Sequence, residues 1–176
     1  TVVALRAMLS VVDSSGQAAL LAPTEVLAQQ HYRTITKILG ELAQAGTLQA
    51  GEIGTQVELL TGSLSAAEKR EIHTKLATGQ TGIVVGTHAL ISDGVGFDDL
   101  GLVVVDEQHR FGVEQLDALR MKAKHPPHLL VMTATPIPRT VAMTVFGDLD
   151  ISSLKELPSG RAAITTHVIP VLEKPH

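Results

Sequence analysis

The chain has 176 residues, which is enough for one domain with a complete hydrophobic core. Its formal net charge is −4 with histidine counted as neutral, so any nucleic-acid binding must depend on a local surface. Aromatic residues make up only 2% of the chain, which excludes base stacking as the main binding mode. The lack of cysteine excludes disulfides and thiolate metal sites. No apolar run approaches the ~18 residues of a membrane span.

The first segment, residues 1–12, carries apolar side chains at helical spacing with no N-cap residue in front of it. We therefore expect a helix whose beginning lies upstream. Further along, apolar runs that stop at turn residues predict buried strands, and segments of helical period predict the helices between them. The strands are expected at 18–22, 57–61, 82–86, 102–105 and 129–133, and the helices at 25–45, 66–77 (opened by a capping box), 113–124 and one that ends near 147.

Alternating strands and helices predict an α/β fold, with a mostly parallel sheet and helices on both faces. Polar residues follow each of the five predicted strands. In such a fold the loops at the carboxyl ends of the strands lie at one edge of the sheet, so we expect these residues to cluster there. A single Thr or Gly after a strand is most often a turn or helix cap, whereas five such stops favour a site. They are Pro23-Thr24, Thr61-Gly62, Gly86-Thr87-His88, Asp106-Glu107 and Thr133-Ala134-Thr135.

The pair Asp106-Glu107 ends the run 102–105, which is apolar, β-branched and without alternation, as in a strand buried on both faces. A carboxylate in that position is able to hold Mg²⁺ through its oxygens, and a second one is able to orient or activate a water. The alternative for a lone Asp-Glu is an acidic turn. The residues that follow, 108–112, make that alternative much weaker.

Four segments together resemble the motor motifs of superfamily-two helicases: APTEVLAQQH at 22–31, GTHAL at 86–90, DEQHRFG at 106–112 and TATPIPRT at 133–140. The last two are similar to the RecG family of bacterial ATP-dependent branched-DNA helicases, as is LPSGR at 157–161. The resemblance covers essentially the whole chain and implies a RecA-like P-loop NTPase domain. It also implies ATP and Mg²⁺ as cofactors, and remodelling of stalled forks and Holliday junctions in recombination and repair.

The resemblance also assigns roles to individual residues. It implies a water-mediated Mg²⁺ contact for Asp106, activation of the attacking water by Glu107, and nucleotide sensing for Gln108 and His109. The nucleotide side includes Thr1, Thr133 and Thr135, and Thr1 matches a second Mg²⁺ ligand. Contacts with the DNA backbone, which carry little sequence information, are implied for Pro23, Thr24, Gln29, Thr61, Gly62, Gly86, Thr87, His88 and Arg139.

The chain departs from this family at its beginning, since only Thr1 matches the phosphate-binding loop and its Gly residues and Lys are not present. We therefore expect a first motor domain at 1–156 that lacks its first (phosphate-loop) strand, and a linker with the start of a second motor domain at 157–176. The fragment alone is expected to be inactive, because phosphoryl transfer needs the missing lysine and arginine finger. The parent is expected to be a monomeric, bacterial, cytoplasmic and nucleoid-associated enzyme whose partners are branched or duplex DNA and its own wedge and second motor domains.

Two other functions stay open at this stage. One is an Mfd-like translocase, which shares part of the pattern, acts on duplex DNA and couples transcription to repair. The other is a non-catalytic helicase-like module. The histidines, among them His31 and His73, show no metal-ligand spacing and are interpreted as ordinary surface or partly buried residues. The basic run 121–125 is interpreted as a solvated helix end in preference to a DNA-binding patch.

Overall fold

The computed structural model describes residues 1–40, 56–107, 110–134 and 150–154. The chain divides into two compact units, Thr1–Pro136 and Ile137–His176. The described helices and strands all belong to the first unit. Of the second unit only residues 150–154 are described, and they have no regular secondary structure. The domain boundary expected at residue 156 stays a prediction.

Five parallel strands form one sheet in the order β2-β3-β1-β4-β5. Residues of β1 and β3 are completely buried, as expected for apolar strands that are covered on both faces. Within the described residues β5 lies at one edge of the sheet and is only partly buried. The strands are β1 (Gln17–Leu21), β2 (Gln56–Leu60), β3 (Thr81–Gly86), β4 (Leu100–Asp106) and β5 (His128–Met132).

Two of the helices begin at residues whose side chains satisfy their first free N–H groups. Thr24 caps its helix by accepting a hydrogen bond from the Leu27 N–H at 3.3 Å. Ser65 and Glu68 form the predicted capping box. The helices are α1 (Val2–Val12), α2 (Glu25–Leu39), α3 (Ala66–Ala77) and α4 (Val113–Arg120), with a short 3-10 helix at His88–Leu90.

Side chains that alternate along each strand supply two hydrophobic cores, one on each face of the sheet. In β1, for example, Ala18 and Leu20 point to one core, while Ala19 and Leu21 point to the other. Helices α1 and α2 cover the first face, and α3 and α4 cover the second. The predicted α/β fold with helices on both faces of a parallel sheet is therefore confirmed.

Two helices are shorter than the sequence predicted. Helix α2 was expected to reach residue 45, but it ends at Leu39, because Gly40 adopts a φ of +52° that a right-handed helix cannot continue. Helix α4 was expected to reach residue 124. It ends at Arg120, and the following Lys122 and Ala123 form i to i−3 backbone bonds instead.

Candidate functional site

The candidate site lies at the point in the parallel sheet where the order of the strands reverses, between β1 and β4. Strands β1 and β4 are neighbours, but the helices that follow them, α2 and α4, lie on opposite faces. In open α/β sheets the crevice at such a switch point, outside the carboxyl ends of the strands, is where ligands bind. Asp106 and Glu107 come at the end of β4 and therefore lie at this crevice.

Asp106 is held by a histidine from the other side of the crevice. His31, in the middle of α2, places its Nε2 2.7 Å from Oδ2 of Asp106, and its Nδ1 lies 3.3 Å from the hydroxyl of Thr1. Both side chains are shielded from solvent, with exposed fractions of 11% for His31 and 18% for Asp106. Thr1 and Asp106, the two residues that the resemblance assigned to Mg²⁺, are thus linked through one imidazole.

Glu107 adopts a backbone conformation that is rare for a residue with a side chain. Its φ is +51°, in the left-handed region. Its N–H donates to the carbonyl of Met132 at 2.9 Å and its own carbonyl accepts from the N–H of Arg110 at 3.0 Å. Strain of this kind is tolerated where the surrounding structure fixes the backbone, and it is common at functional sites.

The carboxylate of Glu107 is oriented by the loop after β5. The hydroxyl of Thr133 donates to Oε2 at 3.1 Å, and the backbone N–H of Ala134 reaches Oε1 at 3.4 Å. The structure therefore brings together Thr1, Asp106, Glu107 and Thr133, four of the residues predicted for the nucleotide side. Gln108, His109, Thr135 and Arg139 lie outside the described residues, and their roles stay predictions.

The predicted DNA-contacting residues that the structure describes lie on the neighbouring loops after β1, β2 and β3, except Gln29, which lies on α2. The loop after β2 is held from both sides: Glu25, at the start of α2, accepts from the N–H of Ser63 at 3.0 Å, and Lys69 of α3 donates to the carbonyl of Gly62 at 2.7 Å. The N–H of Ala22 donates to the carbonyl of Gly86 at 2.8 Å. The predicted clustering of polar residues at one edge of the sheet is therefore found for the described loops.

Exposure differs among these residues. Thr24, Gln29, Gly62 and His88 are exposed and Pro23 is half-buried, so each presents surface to a ligand. Thr61, Gly86 and Thr87 are buried, and a direct contact with DNA would need their loops to open. Gly86 has a packing role besides, since a Cβ at this position would lie 2.3 Å from the carbonyl oxygen of Leu60. All of these DNA contacts stay predictions.

A cavity of about 380 Å³ opens beside the carboxyl ends of β2 and β3. Three of the residues around it, Gly62, Thr87 and His88, are among those predicted to contact DNA. His88 also packs against Phe111, with 5.1 Å between ring centroids. Because Phe111 is buried and follows Glu107 by four residues, this contact connects the DNA side with the loop after β4. The residues that line the cavity are Glu25, Leu60, Gly62, Lys69, His73, Thr87, His88, Ala89 and Ser92.

The surroundings lower the pKa of two ionisable side chains near this cavity. Burial lowers the pKa of His73, and the positive charges of Lys122 and Lys69 lower it further. Burial also lowers the pKa of Lys122, whose ammonium donates to the carbonyls of Ser92 at 2.7 Å and Val95 at 3.0 Å. Lys122 therefore fastens the loop before β4. The basic run was expected to be a solvated helix end, but this lysine is half-buried, while its neighbour Lys124 is exposed and pairs with Asp98.

His31 is the residue of this site that sequence reasoning missed, because it was interpreted as an ordinary histidine. A signal was nevertheless present. The buried residues of α2 are Ala28, His31, Ile35 and Leu39, which are spaced as one helical stripe. Conversely the apolar Val26 and Ile38 of the same helix lie off this stripe and are 75% and 51% exposed. A histidine on a buried stripe needs a polar partner, and here the partner is Asp106.

Comparison with known proteins agrees with the geometry of this site. The family model described as DEAD/DEAH box helicase matches residues 1–144. The chain belongs to this family. It is 60% identical to the ATP-dependent DNA helicase RecG of Mycobacterium tuberculosis over 99% of its length, and 51% identical to that of Synechocystis sp. over 99%.

Solved structures support the same relationship. A structure of RecG bound to a three-way DNA junction covers 93% of the chain with 40% identity and a TM-score of 0.71. The DNA-bound helicase MrfA, at 21% identity and a TM-score of 0.55, shares the fold. The predicted RecA-like helicase fold is thereby confirmed. The chain spans only 24% of the Mycobacterium tuberculosis relative and 20% of the Synechocystis one.

Within the described residues, no helix is long and apolar enough to cross a membrane. The same part of the chain holds no group of three or more His, Asp or Glu side chains placed to bind a metal ion.

Proposed function

We propose that the chain is the first motor domain of an ATP-dependent DNA helicase that remodels branched DNA. The observation that carries this proposal is the arrangement of Asp106 and Glu107 at the switch point, with Glu107 oriented by Thr133 from the next strand. A carboxylate that is held in place beside a nucleotide crevice suits the activation of a water for attack on the γ-phosphate. The hydroxyl of Thr133 connects that carboxylate to the loop leading out of the sheet.

ATP and Mg²⁺ are the proposed cofactors. Asp106 and Thr1 offer one carboxylate and one hydroxyl, which are hard oxygen donors of the kind that Mg²⁺ prefers. Mg²⁺ usually keeps several waters and takes further oxygens from nucleotide phosphates, so it needs no cluster of three protein ligands. The residues therefore fit a Mg²⁺–nucleotide complex, in which the ion would neutralise phosphate charge.

DNA is proposed to bind along the loops after β1, β2 and β3. Exposed hydroxyl and amide groups there, those of Thr24 and Gln29, are suitable donors to phosphate oxygens. Such contacts position a strand without reading its sequence, which is what a translocating motor requires. The packing of exposed His88 against buried Phe111 offers a route by which this surface senses the nucleotide site.

Branched DNA is proposed as the substrate because the chain is similar to RecG helicases along 99% of its length and to a RecG that was solved on a three-way junction. The comparisons give no support to the Mfd-like alternative. The wedge domain, the second motor domain and a location at the bacterial nucleoid are part of the same proposal.

The test uses the full-length protein and the substitutions Asp106→Ala and Glu107→Gln. Both are expected to abolish DNA-stimulated ATP hydrolysis while leaving binding to forked DNA unchanged, because neither side chain lies on the proposed DNA surface. The control is Glu114→Gln, which changes an exposed glutamate at the start of α4. Hydrolysis that survives Glu107→Gln would contradict the proposed role of Glu107.

A further inference from the structure

We infer that His31 is a positioning residue for the metal–nucleotide site, acting through Asp106 and Thr1. The inference rests on the proposed function and adds to it a residue on α2, a helix that otherwise belongs to the DNA side. The observation is a continuous chain of contacts from the Thr1 hydroxyl to Nδ1 of His31, and from Nε2 of His31 to Oδ2 of Asp106, at 3.3 and 2.7 Å.

The chemistry of the partners fixes the hydrogen-bond directions. An ionised carboxylate only accepts, so Nε2 of His31 carries the proton and donates to Asp106. In neutral imidazole the other nitrogen then accepts, and its partner is the hydroxyl proton of Thr1. The oxygen lone pairs of Thr1 are thereby left to face a cation, since the proton is directed away toward His31.

The same arrangement gives the two carboxylate oxygens of Asp106 different surroundings. Oδ2 is occupied by His31, whereas Oδ1 has no hydrogen-bond partner among the residues that the structure describes. One oxygen is therefore fixed and the other stays available for a metal-bound water. Partners of this kind, which hold metal-binding groups in orientation, are typically worth 10- to 100-fold in metal affinity or activity.

The position of His31 shields this contact from water. The residue is buried on the stripe of α2 that packs against the sheet, between Ala28 and Ile35, which are completely buried. Low exposure strengthens a hydrogen bond to a charged group, because water competes less. The alternative is that His31 only fastens α2 to β4, and in that case its loss would weaken the fold without a specific effect on metal binding.

Three substitutions in the full-length protein separate these roles. Gln places its amide nitrogen near the position of Nε2 and keeps the bond to Asp106, whereas Asn places it near Nδ1 and does not reach Asp106. His31→Gln is therefore the conservative variant, and His31→Asn and His31→Leu remove the bond to the carboxylate. Since Gln and Asn bury the same amide group, their difference does not arise from polarity.

The primary measurement is the affinity for Mn²⁺, used as a spectroscopic probe in place of Mg²⁺, with AMP-PNP and forked DNA present, followed by electron paramagnetic resonance. We expect about 10-fold or more weaker Mn²⁺ binding for His31→Asn and His31→Leu, and a value near that of the native protein for His31→Gln. In ATP hydrolysis the Mg²⁺ concentration at half-maximal rate should rise for the first two, while kcat at saturating Mg²⁺ largely recovers.

Two results would overturn the inference while leaving the proposed function standing. One is native Mn²⁺ affinity in all three variants. The other is an equal loss in His31→Gln and His31→Asn, when hydrogen exchange of β4 and α2 shows both variants folded. If the native protein itself binds no Mn²⁺ with AMP-PNP, the proposed function fails and the inference fails with it.

Discussion

Gln17 offers the sharpest test of how the sheet is held together at the amino ends of its strands, opposite the site. Its amide is 3% exposed and makes four hydrogen bonds. The nitrogen donates to the carbonyls of Leu76 at 2.9 Å and Thr81 at 2.8 Å, and the oxygen accepts from the N–H groups of Asp98 at 2.8 Å and Asp99 at 3.0 Å. One side chain thus joins β1 to the end of α3, the start of β3 and the loop before β4.

The substitution Gln17→Met keeps the length of the side chain and removes all four bonds. The buried carbonyl of Thr81 would lose this donor, at a cost of about 1–3 kcal/mol, whereas the carbonyl of Leu76 keeps the N–H groups of Gly79 and Asp98 as donors, both at 3.2 Å. The N–H of Asp98 keeps its second bond, to the carbonyl of Leu76, and the N–H of Asp99 lies nearer to solvent and regains water as a partner. We therefore expect a local destabilisation of about 1–3 kcal/mol, since the isosteric methionine preserves the packing.

Hydrogen exchange at residue resolution in the full-length protein measures this effect. The amides of Asp98 and Asp99 should exchange about 5- to 150-fold faster in Gln17→Met, because each 1.4 kcal/mol corresponds to a factor of ten. Gln30→Met, which changes an exposed glutamine on α2, is the matched control and should leave these amides unaffected. Unchanged protection of Asp98 and Asp99 in Gln17→Met would refute the reasoning.

Two further predictions concern the site. Because Glu107 has a φ of +51°, which glycine adopts without strain, Glu107→Gly should be about 1–2 kcal/mol more stable than Glu107→Ala in denaturant unfolding. Both variants lose the same carboxylate contacts, so equal stability would argue against backbone strain. Burial and two lysines lower the pKa of His73 from its ordinary value of 6.5. As the pH falls below 6.5, the unfolded chain therefore binds a proton that the folded chain does not, and the stability of the fold decreases. Unfolding at about pH 7.5 and about pH 5.5 should therefore show a smaller loss in His73→Gln than in the native protein or in the control His125→Gln, and identical losses would contradict it.

Much of the fold could be predicted because its strands are continuous apolar runs. The run 102–105 and its polar stop at Asp106-Glu107 identified β4 and the switch-point site together. Chain order and helical periodicity then predicted the two-sided covering of the sheet. Helix ends were less predictable, since the end of α2 depends on the single residue Gly40, which lies inside a segment with continuing apolar periodicity.

The contacts that complete the site could not be predicted, because they join residues far apart in the sequence. His31 and Asp106 are 75 positions apart, and Gln17 reaches partners 59 to 82 positions away. Gln17 lies outside the strand predicted at 18–22 but inside β1, because a fully bonded amide is well tolerated in a buried strand. The left-handed backbone of Glu107 was equally hidden, since that conformation normally favours glycine.

The measurement that tests the central claim most directly is ATP hydrolysis by the full-length protein with forked DNA compared with linear duplex of the same length and composition. A motor directed to branched DNA should be stimulated strongly by the fork and weakly by the duplex, and Glu107→Gln should abolish the response to both. Equal stimulation by linear duplex would contradict the proposed specificity for branched DNA. No hydrolysis with either substrate, from a folded protein, would contradict the motor function itself.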